Sequence, residues 1–179
     1  DIYINESFAS SHRAHSSITG ISTFLPSFPG KLFQHELKNL NYIIKNLQTA
    51  PSIAVLGGSK ISTKIEIIEN LSRKFNKLLI GGAMANTFLS AEGYKIGKSL
   101  NEPDMISKAK LILKKFKDKI IIPQDVIVVT SEENEQNEAV DVKNISENHI
   151  IYDIGPKTRK DFYNQILKHE KLLWNGPLG

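Results

Sequence analysis

The sequence predicts an α/β protein, a parallel sheet flanked by helices. Three features carry that prediction. The strand-like runs are short and wholly apolar, as in Ile53–Leu56, Leu78–Ile80 and Leu172–Trp174, without the alternation of a sheet wetted on one face. Between them lie stretches whose apolar residues recur at spacings of three and four, the period of an amphipathic helix. Glycines follow several of the runs directly, where a strand would turn into the next helix.

Along the chain, Asp1–Asn5 alternates like the end of a strand, and Glu6–Ser17 is polar and rich in His. Gly20–Gly30, with Pro26, Pro29 and several Ser, is expected to be a loop. Phe33, Leu37, Leu40, Ile44 and Leu47 then mark a helix over Lys31–Leu47, closed by Thr49-Ala50-Pro51-Ser52. Ile53–Leu56 is a buried strand. Ile61, Ile65, Ile68, Leu71 and Phe75 predict a helix, Leu78–Ile80 a second strand, and Met84–Ala91 a short helix. Pro103 opens a further helix carrying Ile106, Ala109, Leu113 and Phe116, since proline suits a first turn. Ile120–Ile122 and Val126–Val129 are strands three and four. Ser131–Asp141, acidic and without a cation, is expected to be a solvated loop. Ile150–Asp153 is strand-like, Pro156–His169 helical, and Leu172–Trp174 the last strand.

Composition supports a packed core. The chain has 179 residues, 40% of them hydrophobic, and lacks Cys, which excludes disulfides, thiolate metal sites and a cysteine nucleophile. No apolar run approaches the roughly 20 residues of a membrane span. Lys and Arg total 23 against 19 Asp and Glu, a net charge of +4, but only Arg13, Arg73 and Arg159 are arginines. Nucleic-acid readers lean on Arg forks, so the scattered Lys excess reads as a solvated surface and no nucleic-acid partner is expected. The chain starts at Asp1 rather than Met, which leads us to expect a processed chain or a fragment.

Two stretches run from a strand through glycines into a helix: Val55–Lys64, containing Gly57-Gly58-Ser59-Lys60, and Leu79–Thr87, containing Gly81-Gly82. Ligands of open α/β sheets bind at the carboxyl ends of strands. Glycine there lets the backbone approach a ligand, and a helix N-terminus suits phosphate. Lys60 and Lys64, four apart, are expected on one helical face at that end, where each cation opposes the dipole unless an anion offsets it. Tight turns with solvated lysines fit the same residues. In His12-Arg13-Ala14-His15, the spacing lacks a third metal ligand, and Arg13 suits an anionic substrate; a solvated loop fits equally. Asp153-Ile154-Gly155-Pro156 and Trp174-Asn175-Gly176-Pro177 end two further strands, so four glycine-bearing strand ends would form one rim. Gly93–Ser99 mimics a phosphate-binding loop but has three residues between its glycines rather than four, and it is rejected.

Taken in order, these motifs resemble phosphoglycerate kinases. Asp1–Phe8 with His12–Ser16, Leu56–Lys64, Gly81–Ala85 with Thr87-Phe88, Asp153–Pro156 and Trp174–Pro177 follow the family's succession along the whole chain, with Gln124–Asn148 the weakest stretch. The resemblance implies a two-domain kinase with a Rossmann-like sheet. Residues 1–30 would end the substrate domain, 31–50 form the connecting helix, and 51–179 make most of the nucleotide domain.

It implies reversible transfer of a phosphoryl group between 1,3-bisphosphoglycerate and ADP, giving 3-phosphoglycerate and ATP, by a cytoplasmic, monomeric glycolytic enzyme. Arg13, with His12 beside it, would bind phosphoglycerate. Lys60 and Lys64 would act on the transferring group. Gly57, Gly58, Ser59, Gly81 and Gly82 would line the nucleotide cleft, with Asn175, Gly176 and Leu178 on its other side. Mg2+ would come with the nucleotide, its aspartate lying outside these residues and no metal ligand within them. Thr63, Ala83 and Ile151 depart from residues common in the family, and its arginine-rich first half and Gly-Gly-Gly-Asp-Thr motif have no counterpart here. The 179 residues alone are therefore expected to be inactive. A non-catalytic nucleotide-binding α/β module is the alternative, but it leaves His12–Ser16 unexplained.

Overall fold

The computed structural model describes residues 1–46, 49–130 and 137–179. The chain divides into two compact units, Asp1–Asn46 and Leu47–Gly179.

In the first unit, β1 (Tyr3–Asn5) pairs in parallel with β2 (Ser27–Pro29). Pro26, Pro29 and the serines around them predict a loop over residues 20–30, yet a strand forms there. Two prolines hid the strand, whose pairing is held by Tyr3 N donating to Pro26 O at 2.9 Å and Gly30 N to Asn5 O at 2.8 Å. Helix α1 (Lys31–Lys45) follows, and the predicted continuation to Leu47 lies outside the described residues. Its N-terminus is satisfied by Glu6, whose carboxylate accepts Phe33 N at 3.1 Å and Leu32 N at 3.4 Å. Phe8 packs edge-on against Phe33, with ring centroids 5.2 Å apart.

The second unit is built on β3 (Ser52–Leu56), β4 (Lys77–Ile80), β5 (Ile120–Ile121) and β9 (Lys171–Asn175), a parallel sheet in the order β5-β4-β3-β9. Helices α2 (Ile65–Lys74), α3 (Ala83–Ala91), α4 (Ile106–Lys115) and α5 (Pro156–Leu167) connect and cover it. Every residue of β3 is buried, as expected of a central strand without alternation. Ile53, Val55 and Leu79 pack with Ile154 and Phe162 in one core cluster.

The remaining strands depart from the expected single parallel sheet. β6 (Asp125–Val129), β7 (Glu138–Asp141) and β8 (Ile150–Ile154) form a separate antiparallel sheet in the order β7-β6-β8. β7 falls in the stretch expected to be a loop; the rest of that loop, residues 131–136, lies outside the described residues. Its inward Val140 joins Val126, Val128 and Leu89 in a second core cluster, and this burial outweighs the acidic composition around it.

Candidate functional site

The carboxyl ends of β3, β4 and β9 meet through backbone. Gly57 N donates to Asn175 O at 2.9 Å, Gly81 N to Leu56 O at 2.9 Å, and Gly82 N to Leu178 O at 2.7 Å. Met84 N, in the first turn of α3, donates to Gly58 O at 2.9 Å. Glycine is required sterically here. A Cβ on Gly57 would lie 1.7 Å from Pro177 O. Gly82 combines a φ of +67° with main-chain atoms of Gly58 2.6 and 2.7 Å from a would-be Cβ.

Lys64 stands inside this junction. Its Nζ donates to Gly57 O at 2.6 Å and Asn175 Oδ1 at 3.3 Å, linking the ends of β3 and β9. Lys60 is exposed. The two lysines do not share a helical face, because α2 begins only at Ile65: Lys64 is its N-cap residue and Lys60 lies in the preceding turn. Ile61, counted as helical by its spacing, is instead a fully buried anchor of that turn.

The turn is shaped by Glu102, which the sequence reading missed. Its carboxylate accepts Ile61 N at 2.5 Å, Ser62 N at 3.0 Å and Ser62 Oγ at 2.5 Å. Burial pushes this carboxyl up. The Ser62 hydroxyl, the Ser62 and Ile61 amides and the Lys60 charge more than offset that and hold it below the usual glutamate range. The helix-end amides expected to cradle phosphate thus include two already taken by a side chain.

The strand end before Gly155-Pro156 belongs to a different sheet, yet its Asp153 and Ile154 line one cavity with Gly82 and Leu178. It closes β8, in the antiparallel sheet, and the start of α5 is filled by buried Asp125. That carboxylate accepts Lys157 N at 2.9 Å, Thr158 N at 2.7 Å and Thr158 Oγ1 at 2.6 Å. Burial raises its pKa, but the Thr158 hydroxyl, these amides and Lys157 bring it below the ordinary aspartate value. No periodic pattern marks either acid; each is joined to its partners only by the fold.

Of the rim helices, α3 presents its first turn to a cavity of about 140 Å³ lined by Gly82, Ala83, Asn86, Ile151, Asp153 and Leu178, among others. Ser59 is exposed beside the rim, and Trp174 Nε1 donates to Gly176 O at 2.9 Å. In the first unit, Arg13 and His12 are exposed side chains, and neither forms a hydrogen bond or ion pair among the described residues. The rejected Gly93–Ser99 segment follows α3 as turns with no helix opening at its end. Among the described residues no group of three or more His, Asp or Glu stands together to hold a metal ion. No helix among them is long and apolar enough to cross a membrane.

The family model for phosphoglycerate kinase matches residues 1–179. The phosphoglycerate kinase of Borreliella burgdorferi is 44% identical over 183 aligned residues, covering 100% of this chain and 46% of that protein. The enzyme of Sinorhizobium medicae is 43% identical with the same coverage. Among solved structures, phosphoglycerate kinase from Coxiella burnetii superimposes with a TM-score of 0.86 at 36% identity, covering 100% of this chain and 47% of that one. The crystal structure of the Pyrococcus horikoshii enzyme gives 0.88 at 28% identity, covering 100% and 46%. The chain spans about half the length of the curated relatives it matches.

Proposed function

Because the chain belongs to the phosphoglycerate kinase family, we propose that it serves reversible phosphoryl transfer between 1,3-bisphosphoglycerate and ADP, and that its second unit holds the nucleotide. The observation carrying this reading is the junction of β3, β4 and β9, where four glycines bring three chain segments together around the Lys64 ammonium. In this reading the nucleotide lies along Gly57, Gly58, Ser59, Gly81 and Gly82, with Asn175, Gly176 and Leu178 across from them. Lys60 and Lys64 serve its phosphates, and Arg13 and His12 serve phosphoglycerate. Residues 1–30, 31–50 and 51–179 take the roles of substrate segment, connecting helix and nucleotide domain.

The chemistry asks little of acid or base. In the direction of ATP formation, a β-phosphate oxygen of ADP bonds to phosphorus as the bond from phosphorus to the acyl oxygen breaks, leaving a carboxylate that needs no proton. Charge builds on the equatorial oxygens of a loose transition state, so catalysis is positioning and electrostatic stabilisation. A cation 4 Å from a unit charge is worth about 4 kcal/mol at an effective dielectric of 20, which sets the scale for each lysine. Lys64 leaves neutral acceptors, Gly57 O and Asn175 Oδ1, to reach a phosphate, a favourable exchange. Magnesium travels with the nucleotide, with its carboxylate ligands outside the described residues. We place the protein in the cytoplasm as a monomer acting on these small molecules.

Calorimetry with ADP tests the nucleotide reading directly. Binding that weakens about a hundredfold in Lys64→Ala is expected. No detectable ADP binding by the folded protein would overturn it. For a protein of the relatives' full length carrying these residues, a coupled assay with 3-phosphoglycerate and ATP tests the reaction. Arg13→Ala should then raise KM for 3-phosphoglycerate.

A further inference from the structure

We propose that Glu102 is a positioning residue for the nucleotide phosphates, holding the turn between Gly58 and α2 so that Lys60 and Lys64 present their charges at the rim. This rests on the nucleotide reading above and goes one step past it, to a residue outside every glycine motif.

The geometry is specific. One carboxylate spans the turn with both oxygens: Oε2 takes the amides of Ile61 and Ser62, and Oε1 takes the Ser62 hydroxyl. Those two residues lie directly between the lysines, Ile61 following Lys60 and Ser62 preceding Lys64 by two. Glu102 is itself tied down from behind. Its N donates at 3.1 Å to Oγ1 of Thr87, a fully buried residue of α3, and Asn86 Nδ2 reaches Leu100 O at 3.0 Å. Helix α3 begins at Ala83, with Gly82 as its N-cap residue. A chain of packed and hydrogen-bonded groups therefore runs from the β4 end of the rim, through α3 and Glu102, to the turn carrying the lysines.

The carboxylate also has an electrostatic effect. It occupies amides that would otherwise offer phosphate a second seat within the same turn. It attracts Lys60, whose charge in return helps keep it ionised. Phosphate recognition is thereby left to the movable ammonium groups rather than to the Ile61 and Ser62 backbone.

Calorimetry with ADP and with AMP, on a protein of the relatives' full length carrying these residues, decides the point. Glu102→Gln keeps the shape but removes the charge and leaves one acceptor oxygen where the carboxylate has two. It should lose about tenfold in ADP affinity while AMP affinity changes less than twofold, with kcat falling in the coupled assay. Ser62→Ala, which removes one of the three bonds, should lose about threefold on ADP alone. A merely structural role would lower the melting temperature and weaken both nucleotides alike, or neither. A folded Glu102→Gln protein with an unchanged ratio of ADP to AMP affinity overturns the proposal. Should that variant not fold, an unchanged ratio in Ser62→Ala does so. Failure of the parent protein to bind either nucleotide would instead overturn the nucleotide reading.

Discussion

Gly82→Ala should be among the most damaging single-methyl additions to this chain. Two costs combine. Gly82 has a φ of +67° and a ψ of −175°, a region that is essentially glycine-only, so any side chain there stores about 1–3 kcal/mol of strain. The new Cβ would also lie 2.6 Å from Gly58 N, 2.7 Å from Gly58 O and 3.0 Å from Pro177 O. All three are main-chain atoms, so no side chain can swing aside. The rim must open, at the expense of the Gly82–Leu178 and Met84–Gly58 hydrogen bonds, and overpacking of this kind costs about 1–3 kcal/mol. The total is about 2–6 kcal/mol. With a urea m-value of about 2 kcal/mol/M, the unfolding midpoint should fall by about 1–3 M. Trp174, the only tryptophan, sits at the end of β9 and reports the transition by fluorescence. Gly93→Ala is the matched control: its φ is +90°, but nothing lies within 4 Å of a Cβ there, so it should lose only the strain, about 1–2 kcal/mol. If Gly82→Ala proves no worse than Gly93→Ala, the close approach of β3, β4 and β9 at this rim is wrong.

Asp125→Ala should destabilise by about 2–4 kcal/mol in the same assay, because it strands the Lys157 and Thr158 amides at the start of α5. The folded-state pKa values of Asp125 and Glu102 are both depressed, so their contribution is fully present above the unfolded carboxylate values near pH 4 and is lost as pH falls through the lowered ones. Stability measured from pH 6 to 2 should therefore drop below about pH 4, and Asp125→Asn should flatten that drop. Ser72, buried on α2 with a hydroxyl that finds no partner among the described residues, offers the opposite sign: Ser72→Ala should raise stability by about 1 kcal/mol, read as a higher melting temperature.

The helices and the parallel strands were legible because each is a local pattern, either an apolar run covered on both faces or a three-and-four spacing. What was not legible depended on partners distant in sequence. β2 was masked by Pro26 and Pro29, and it exists because β1 lies beside it. β7 looked acidic and solvated, yet Val140 alternates inward against Val126 and Val128. At the site, the glycine motifs pointed to the junction of β3, β4 and β9, while the placement of Lys60 and Lys64 on one helical face failed. The periodicity of Ile61, Ile65 and Ile68 runs straight through a turn that Glu102 holds. Glu6, Glu102 and Asp125 each satisfy amides at or near a helix start, and nothing in their immediate sequence marks them for it.

The pairing of β3 with β9 has a consequence in time. Ser52 aligns with Lys171 and Leu56 with Asn175, so the central strand waits for a neighbour 119 positions later. At a synthesis rate of about 5–20 residues per second, that is on the order of 6–24 s during which one edge of β3 has only solvent or a chaperone beside it. Gly57 N lacks its Asn175 acceptor, and the Lys64 ammonium one of its two seats, for the same interval. A nascent chain would thus carry the glycines and lysines of the rim well before it carried the rim itself.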